Sequence, residues 1–229
     1  MIERLAVILP AAGSSTRFGS GRNKLLEPLC GRTVLARSAA AFLSRRNVVL
    51  LVIATSSESA MRGALGDLAN DPRVRFVSGG ATRADTVRGA LAHLPTEIEW
   101  VAVHDAARPL VSADVIDRVL HAAHLHGAAA PALPVSLTIK QAAGPLPAKV
   151  EHTVPRASLW AMQTPQIARR ADLLAAMKAC PLPADQITDD MQVLELAGHA
   201  VWLVQGDERN LKITTQMDLD LATLLTGES

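Results

Sequence analysis

The chain alternates short, continuous apolar runs with longer segments in which apolar residues recur every three or four positions. LAVILP (5–10), VVLLVIAT (48–55), VRFVSG (74–79), WVAVHDAA (100–107) and AAPALPV (129–135) have strand length and no consistent polar face. That is the pattern of strands covered on both sides. Between them, TVLARSAAAFLS (33–44), SESAMRGALGDLA (57–69), TRADTVRGALAHL (82–94) and SADVIDRVLHAAHLHG (112–127) carry a helical period. Strand and helix in alternation predict an α/β fold, a Rossmann-like, mostly parallel sheet with helices on both faces. In such sheets ligands gather beyond the carboxyl ends of the strands. Three segments fall at those ends: PAAGSSTRFGSGRNK (10–24), GGATRAD (79–85) and HDAARP (104–109).

The pattern changes after Pro134. SLTIKQAAGPLPAKVEHTVPR (136–156) alternates apolar and polar residues around Gly144, Pro145 and Pro147, a hairpin signal. A two-stranded arm is marginally stable by itself, so this one is expected to project from the domain and pack on another subunit. Helices near 169–179 and 189–197, a strand at 200–206, the segment RNLKITT (209–215) and a helix at 217–225 complete the chain. The reading is a single domain over 1–229 with a dimerisation arm at about 136–156.

Composition narrows the function class. Hydrophobic residues make up 49% of the 229, while tyrosine is absent and aromatics are 3%, so a large core is available and must be aliphatic. A formal net charge of +1 lacks the basic excess of a nucleic-acid surface; any cations that hold an anion must be clustered locally. Cys30 and Cys180 stand far apart and outside any CxxC pattern, which reads as free thiols in a reducing compartment. MIERLAVILPAAG is too short for a secretory leader, and no run reaches membrane-spanning length. A soluble cytoplasmic protein without membrane or nucleic-acid partners is expected.

The segment 10–24 directly follows an apolar strand, and it holds three glycines, four hydroxyl side chains and no acid. It is not a Walker loop: five residues separate Gly13 from Gly19, and Ser20 follows. Nor is it a dinucleotide turn, since Lys24 stands where the third glycine belongs. Gly13 and the small residues Ala11, Ala12 and Ser14 would let backbone N–H groups approach an anion, with Arg17 and Lys24 adding charge. Phosphoryl and nucleotidyl transfer need that combination, because negative charge grows on the phosphate oxygens and the leaving group. An incidental glycine-rich surface turn is the alternative, and its place at the ligand edge argues against it.

Together with VHDAARPLV (103–111), GGATRADTV (79–87), PVSLTIK (134–140), RASLWAMQTPQ (156–166), TDD (188–190) and RNLKIT (209–214), the opening segment resembles the 2-C-methyl-D-erythritol 4-phosphate cytidylyltransferases, in order and over essentially the whole chain. The resemblance implies transfer of CMP from CTP to the polyol phosphate with magnesium, in a homodimer. It implies Arg17, Lys24, Arg156 and Lys212 as catalytic. It places CTP against Pro10, Ala11, Ala12, Gly13, Ser14, Gly80, Ala81, Asp85, Thr86 and Ala106. It gives the polyol phosphate to Asp105, Arg108, Thr138, Arg156, Thr164 and Lys212. Asp105 is either a polyol contact or a metal ligand. Thr138 and Arg156 lie on or beside the arm and would reach a neighbouring subunit's site. Many relatives carry an acid where Ala81 stands, a change that a backbone contact to the base would survive.

Two other clusters compete for attention. His121, His124 and His126 lack a carboxylate or cysteine at ligand spacing and read as a solvated helix face. In TDD, Thr188 before two acids reads as a helix N-cap. Rival functions are a ribitol-5-phosphate cytidylyltransferase, sharing the opening segment and HDAARP, and a nucleotide-binding module without turnover, which would not need Arg17, Lys24 and Lys212 together.

Overall fold

The structure is a computed structural model and describes residues 2–13, 18–19 and 21–227. Its centre is an eight-stranded sheet. β1 (Leu5–Pro10) leads through a small two-stranded ribbon, β2 (Pro28–Leu29) and β3 (Arg32–Thr33), into α1 (Val34–Leu43). β4 (Val48–Thr55), α2 (Glu58–Leu65), β5 (Val74–Ser78), α3 (Arg83–Ala92), β6 (Trp100–Val103), α4 (Ala113–His126) and β7 (Ala128–Pro134) continue the alternation. The arm is β8 (Ile139–Ala142) and β9 (Val150–Val154). β10 (Trp160–Met162), β11 (Gln166–Arg169), α5 (Arg170–Ala179), α6 (Asp190–Leu196), β12 (Trp202–Gln205) and α7 (Gln216–Leu225) close the chain.

The order across the sheet is β10-β7-β11-β6-β1-β4-β5, with β12 on β7. β6, β1, β4 and β5 run parallel, and β12 is parallel to β7. β10 and β11 are antiparallel insertions, β11 between β6 and β7. The two-residue period of the strands divides the core. Leu5, Val7 and Leu9 of β1 join one cluster with α1, α2, α4 and α7, and Ala6 and Ile8 join the other with α3, α5 and α6. Each layer is aliphatic for the most part, and burial on this scale drives the fold at roughly 25 cal/mol per Å² of apolar surface.

Side chains fix where the helices begin. Thr33, Thr82 and Ser112 accept the amide of the residue three ahead at the starts of α1, α3 and α4. Thr215 and Asp218 form a reciprocal capping box on α7. The N-cap of α6 corrects the sequence reading by one residue: Asp189, not Thr188, accepts the Gln192 amide at 2.8 Å. Thr188 instead donates its amide and hydroxyl to the Gln192 side chain.

The arm forms a sheet of its own, in which β8 and β9 pair with each other. Apolar residues at its base and tip are uncovered: Leu137 is 74% and Leu146 88% exposed. Among the described residues no helix is long and apolar enough to cross a membrane.

Candidate active site

The ends of β1, β5 and β6 gather at one edge, since β6, β1, β4 and β5 are consecutive in the sheet and run in the same direction. They enclose a cavity of about 310 Å³. Pro10, Ala11, Ala12 and Gly13 form one wall, and Gly80, Ala81, Thr82 and Thr86 another. Ala106 and Ala107 form the floor beside Asp105. Lys24, Arg83 and Lys212 bring three cations to it, and Asp105 is the one acidic residue lining it among those described. A chain of nearly zero net charge thus concentrates positive charge at this edge.

The two glycine-bearing walls touch. A Cβ on Gly79 would lie 2.3 Å from the Ala12 Cβ, so only glycine allows this approach. The Ala11 amide donates to the Ala54 carbonyl at 2.8 Å, and Gly79 to Thr55 at 2.9 Å, pinning both walls to β4. Thr86 braces the turn: its hydroxyl accepts the Gly80 amide at 3.0 Å and donates to the Thr82 carbonyl at 2.8 Å. The Asp85 carboxylate accepts from the Thr82 hydroxyl at 2.9 Å and from Arg88 at 3.2 Å, and Asp85 does not line the cavity.

Asp105 is a hub. Lys212 Nζ lies 2.9 Å from Oδ2, Arg108 Nε 3.3 Å from the same oxygen, and Arg83 Nε 3.4 Å from Oδ1. Burial works to raise its pKa, but the three cations overcome that and hold the carboxyl well below the usual carboxylate range. Arg83 also gives Nη2 to Asp190 Oδ2 at 2.7 Å. Burial pushes Asp190 upward against the pull of Arg83.

Behind the hub is a buried polar chain. The Thr164 hydroxyl accepts the Asp105 amide at 3.1 Å and lies 3.0 Å from His104 Nδ1. His104 Nε2 faces the Arg108 carbonyl at 3.1 Å and must donate to it. Nδ1 is then the acceptor for the Thr164 proton, and the ring is neutral. Burial lowers the His104 pKa to about 4, consistent with that state. Arg108 reaches past Asp105 to the Asn210 carbonyl at 2.7 Å, and the Ile213 amide binds the Ala107 carbonyl at 2.8 Å. These bonds strap the 209–214 segment across the floor and carry Lys212 to Asp105.

The structure therefore brings Pro10, Ala11, Ala12, Gly13, Lys24, Gly80, Ala81, Thr86, Asp105, Ala106 and Lys212 to one cavity. Arg108 and Thr164 stand behind its wall with their polar groups engaged. Thr138 and Arg156 are exposed at the arm and do not line it; Arg156 donates to the Ser136 carbonyl. Ser14 and Arg17 lie outside the described residues. Arg22 pairs with Glu27 at 2.5 Å. Among the described residues no group of three or more His, Cys, Asp or Glu could hold a metal, and His126 stacks on Trp202 at 3.7 Å. Arg83, Asp190 and His104 were not singled out by the sequence. Their one signal is that each sits inside a segment chosen for a neighbour.

The model of the family 2-C-methyl-D-erythritol 4-phosphate cytidylyltransferase matches residues 5–228. The chain is 42% identical to the protein of that name from Symbiobacterium thermophilum, over 98% of this chain and 93% of that one. It is 39% identical to the Gloeobacter violaceus protein of the same name, over 94% and 93%. It superposes on the crystal structure of the Thermus thermophilus protein of that name with a TM-score of 0.78 and 32% identity, over 98% and 99% of the two chains.

Proposed function

The chain belongs to the 2-C-methyl-D-erythritol 4-phosphate cytidylyltransferase family, and from that premise we propose how its cavity carries out the reaction. The enzyme transfers CMP from CTP to 2-C-methyl-D-erythritol 4-phosphate, releasing pyrophosphate, in isoprenoid precursor synthesis. The observation that carries the residue-level reading is the meeting of Lys24 and Lys212 on a cavity walled by residues 10–13.

An oxygen of the polyol phosphate forms a bond to the α-phosphorus of CTP as the bond to the bridging oxygen of pyrophosphate breaks. The nucleophile arrives as an anion, so no proton must be removed; the difficulty is bringing a dianion to a triphosphate. Lys24, with Arg17, takes up charge as pyrophosphate leaves. The 10–13 backbone and Ser14 hold the triphosphate, and Gly80, Ala81, Thr86 and Ala106 wall the cytosine, whose small size suits the close approach of the two loops. Asp105 accepts a polyol hydroxyl and Lys212 holds the phosphate. Arg108 and Thr164 act through Asp105, which they fix, and Asp85 acts through the Thr82 cap.

Bound magnesium would supply charge neutralisation at the phosphates. Asp105 is the sole acidic lining residue among those described and already meets three cations, which suits an ion held mainly by the triphosphate. The single domain carries a dimerisation arm, and the exposed Leu137 and Leu146 support its packing on a second copy. Thr138 and Arg156 then complete that copy's site. The cytoplasm is the compartment that supplies CTP and keeps Cys30 and Cys180 reduced.

Pyrophosphate release from CTP is the test, with methylerythritol phosphate and ribitol 5-phosphate supplied separately. Turnover with the first, abolished by EDTA and restored by magnesium, is expected. Turnover with ribitol 5-phosphate alone would overturn the assignment of the polyol pocket.

A further inference from the structure

One of the three cations on Asp105 is itself held from behind. Arg83 contacts Asp190 at 2.7 Å but reaches Asp105 only at 3.4 Å. Its stronger partner is the carboxylate that does not line the cavity, and the weaker is the one that does. Asp190 is 0% exposed, and among the described residues its Oδ1 meets no hydrogen-bond partner. A buried carboxylate with one cationic partner is costly. The α6 start does not call for it, since Asp189 supplies the cap. Its position is nonetheless fixed: the Asp190 amide donates to Gln166 Oε1 at 2.9 Å. Gln166, 1% exposed, pairs in register with Val103, two residues before Asp105. The holder and the hub thus hang from adjacent strands.

We propose that Asp190 is a positioning residue that draws Arg83 back from Asp105 and so leaves Asp105 Oδ1 able to accept a hydroxyl of the polyol phosphate. The proposal rests on the reading that Asp105 contacts the polyol. Oδ2 already takes Lys212 and Arg108, while Oδ1 has the long Arg83 contact. A guanidinium released by Asp190 keeps one carboxylate within reach, and a two-point Arg–carboxylate pair is its strongest geometry. It closes on Asp105 and fills Oδ1.

Asp190→Asn removes the charge and keeps the shape. Its kcat/KM for the polyol phosphate is expected to fall about tenfold or more, while the KM for CTP moves less than about twofold. Adding Arg83→Gln takes away the group that closes on Asp105 and leaves a neutral hydrogen-bonding pair. The double variant should regain most of the loss. A purely structural ion pair is rescued by the same double variant, but there the single variant lowers kcat/KM for CTP and the polyol phosphate alike, whereas the clamp moves the polyol value alone. Unchanged polyol kinetics in Asp190→Asn, or a double variant no better than the single, overturns the proposal. Asp105→Asn is the reference: if it leaves the polyol KM unchanged, the reading of Asp105 fails; if it raises that KM and Asp190→Asn does not, the clamp alone fails. Should Asp190→Asn not fold, Arg83→Gln alone removes the group that would fill Oδ1. An unchanged or lowered polyol KM there supports the clamp, and a raised one overturns it.

Discussion

His104 sits in the HDAARP segment directly before Asp105, yet it faces away from water. Phe42 packs at 4.9 Å between ring centroids, Thr164 and the Arg108 carbonyl take its two nitrogens, and the Lys212 and Arg108 charges oppose a third cation. Asp105 favours a proton on the ring but does not offset burial. The folded pKa of about 4 lies below the ordinary 6.5. Between those values the unfolded chain binds a proton that the folded protein does not. Stability from His104 is therefore complete above pH 6.5 and is lost as pH falls toward about 4. Through this residue the protein should be about 2 kcal/mol less stable at about pH 5 than at about pH 7.5. Asp105 acts only at lower pH, and Asp190, pushed up by burial, acts in the opposite direction. The quantity to read is the difference between wild type and His104→Gln in urea unfolding at the two pH values. The glutamine amide keeps a donor and an acceptor without a titrating ring, and its pH dependence should be shallower by that amount. Equal slopes would show that His104 already carries its proton, or that it is not buried.

At the scale of elements, the parallel strands and the helices that cover them are legible because each is long enough for its period to register. β10 and β11 are not, because they span three and four residues and flank Pro165, which reads as a break in pattern. Burial of Gln166 adds to the concealment, since a polar residue at a central sheet position looks like a loop. The α6 cap slipped by one because both Thr188 and Asp189 are good capping residues and Gln192 answers each of them. Arg83 in a first helical turn looks like solvated surface, and only the fold reveals two carboxylates converging on it from distant segments. The arm was legible from alternation, and its chemistry leads to a prediction. β8 and β9 pair with each other, and Leu137 and Leu146 are mostly in water. Aspartate at both leucines leaves the pairing intact but opposes burial against a second copy. If the arm joins two copies as proposed, equilibrium sedimentation should shift from dimer toward monomer, and specific activity should become dependent on enzyme concentration. A dimer of unchanged stability would place the interface elsewhere.

At the scale of the whole molecule, the cavity has cations from the domain, whereas Thr138 and Arg156 lie on the arm and outside it. If each arm completes the site of the other copy, every active site takes Lys24 from one subunit and Arg156 from its neighbour. Lys24→Ala and Arg156→Ala enzymes should then each turn over poorly alone. Unfolding them together and refolding makes dimers with one copy of each. In such a dimer one site carries both defects and the other carries neither. Random pairing gives mixed dimers half the time, and half of their sites are intact, so about a quarter of wild-type activity should return. Sites built within one chain give no recovery, because every site then contains one substitution or the other. The outcome separates an arm that merely joins subunits from one that delivers residues to the reaction.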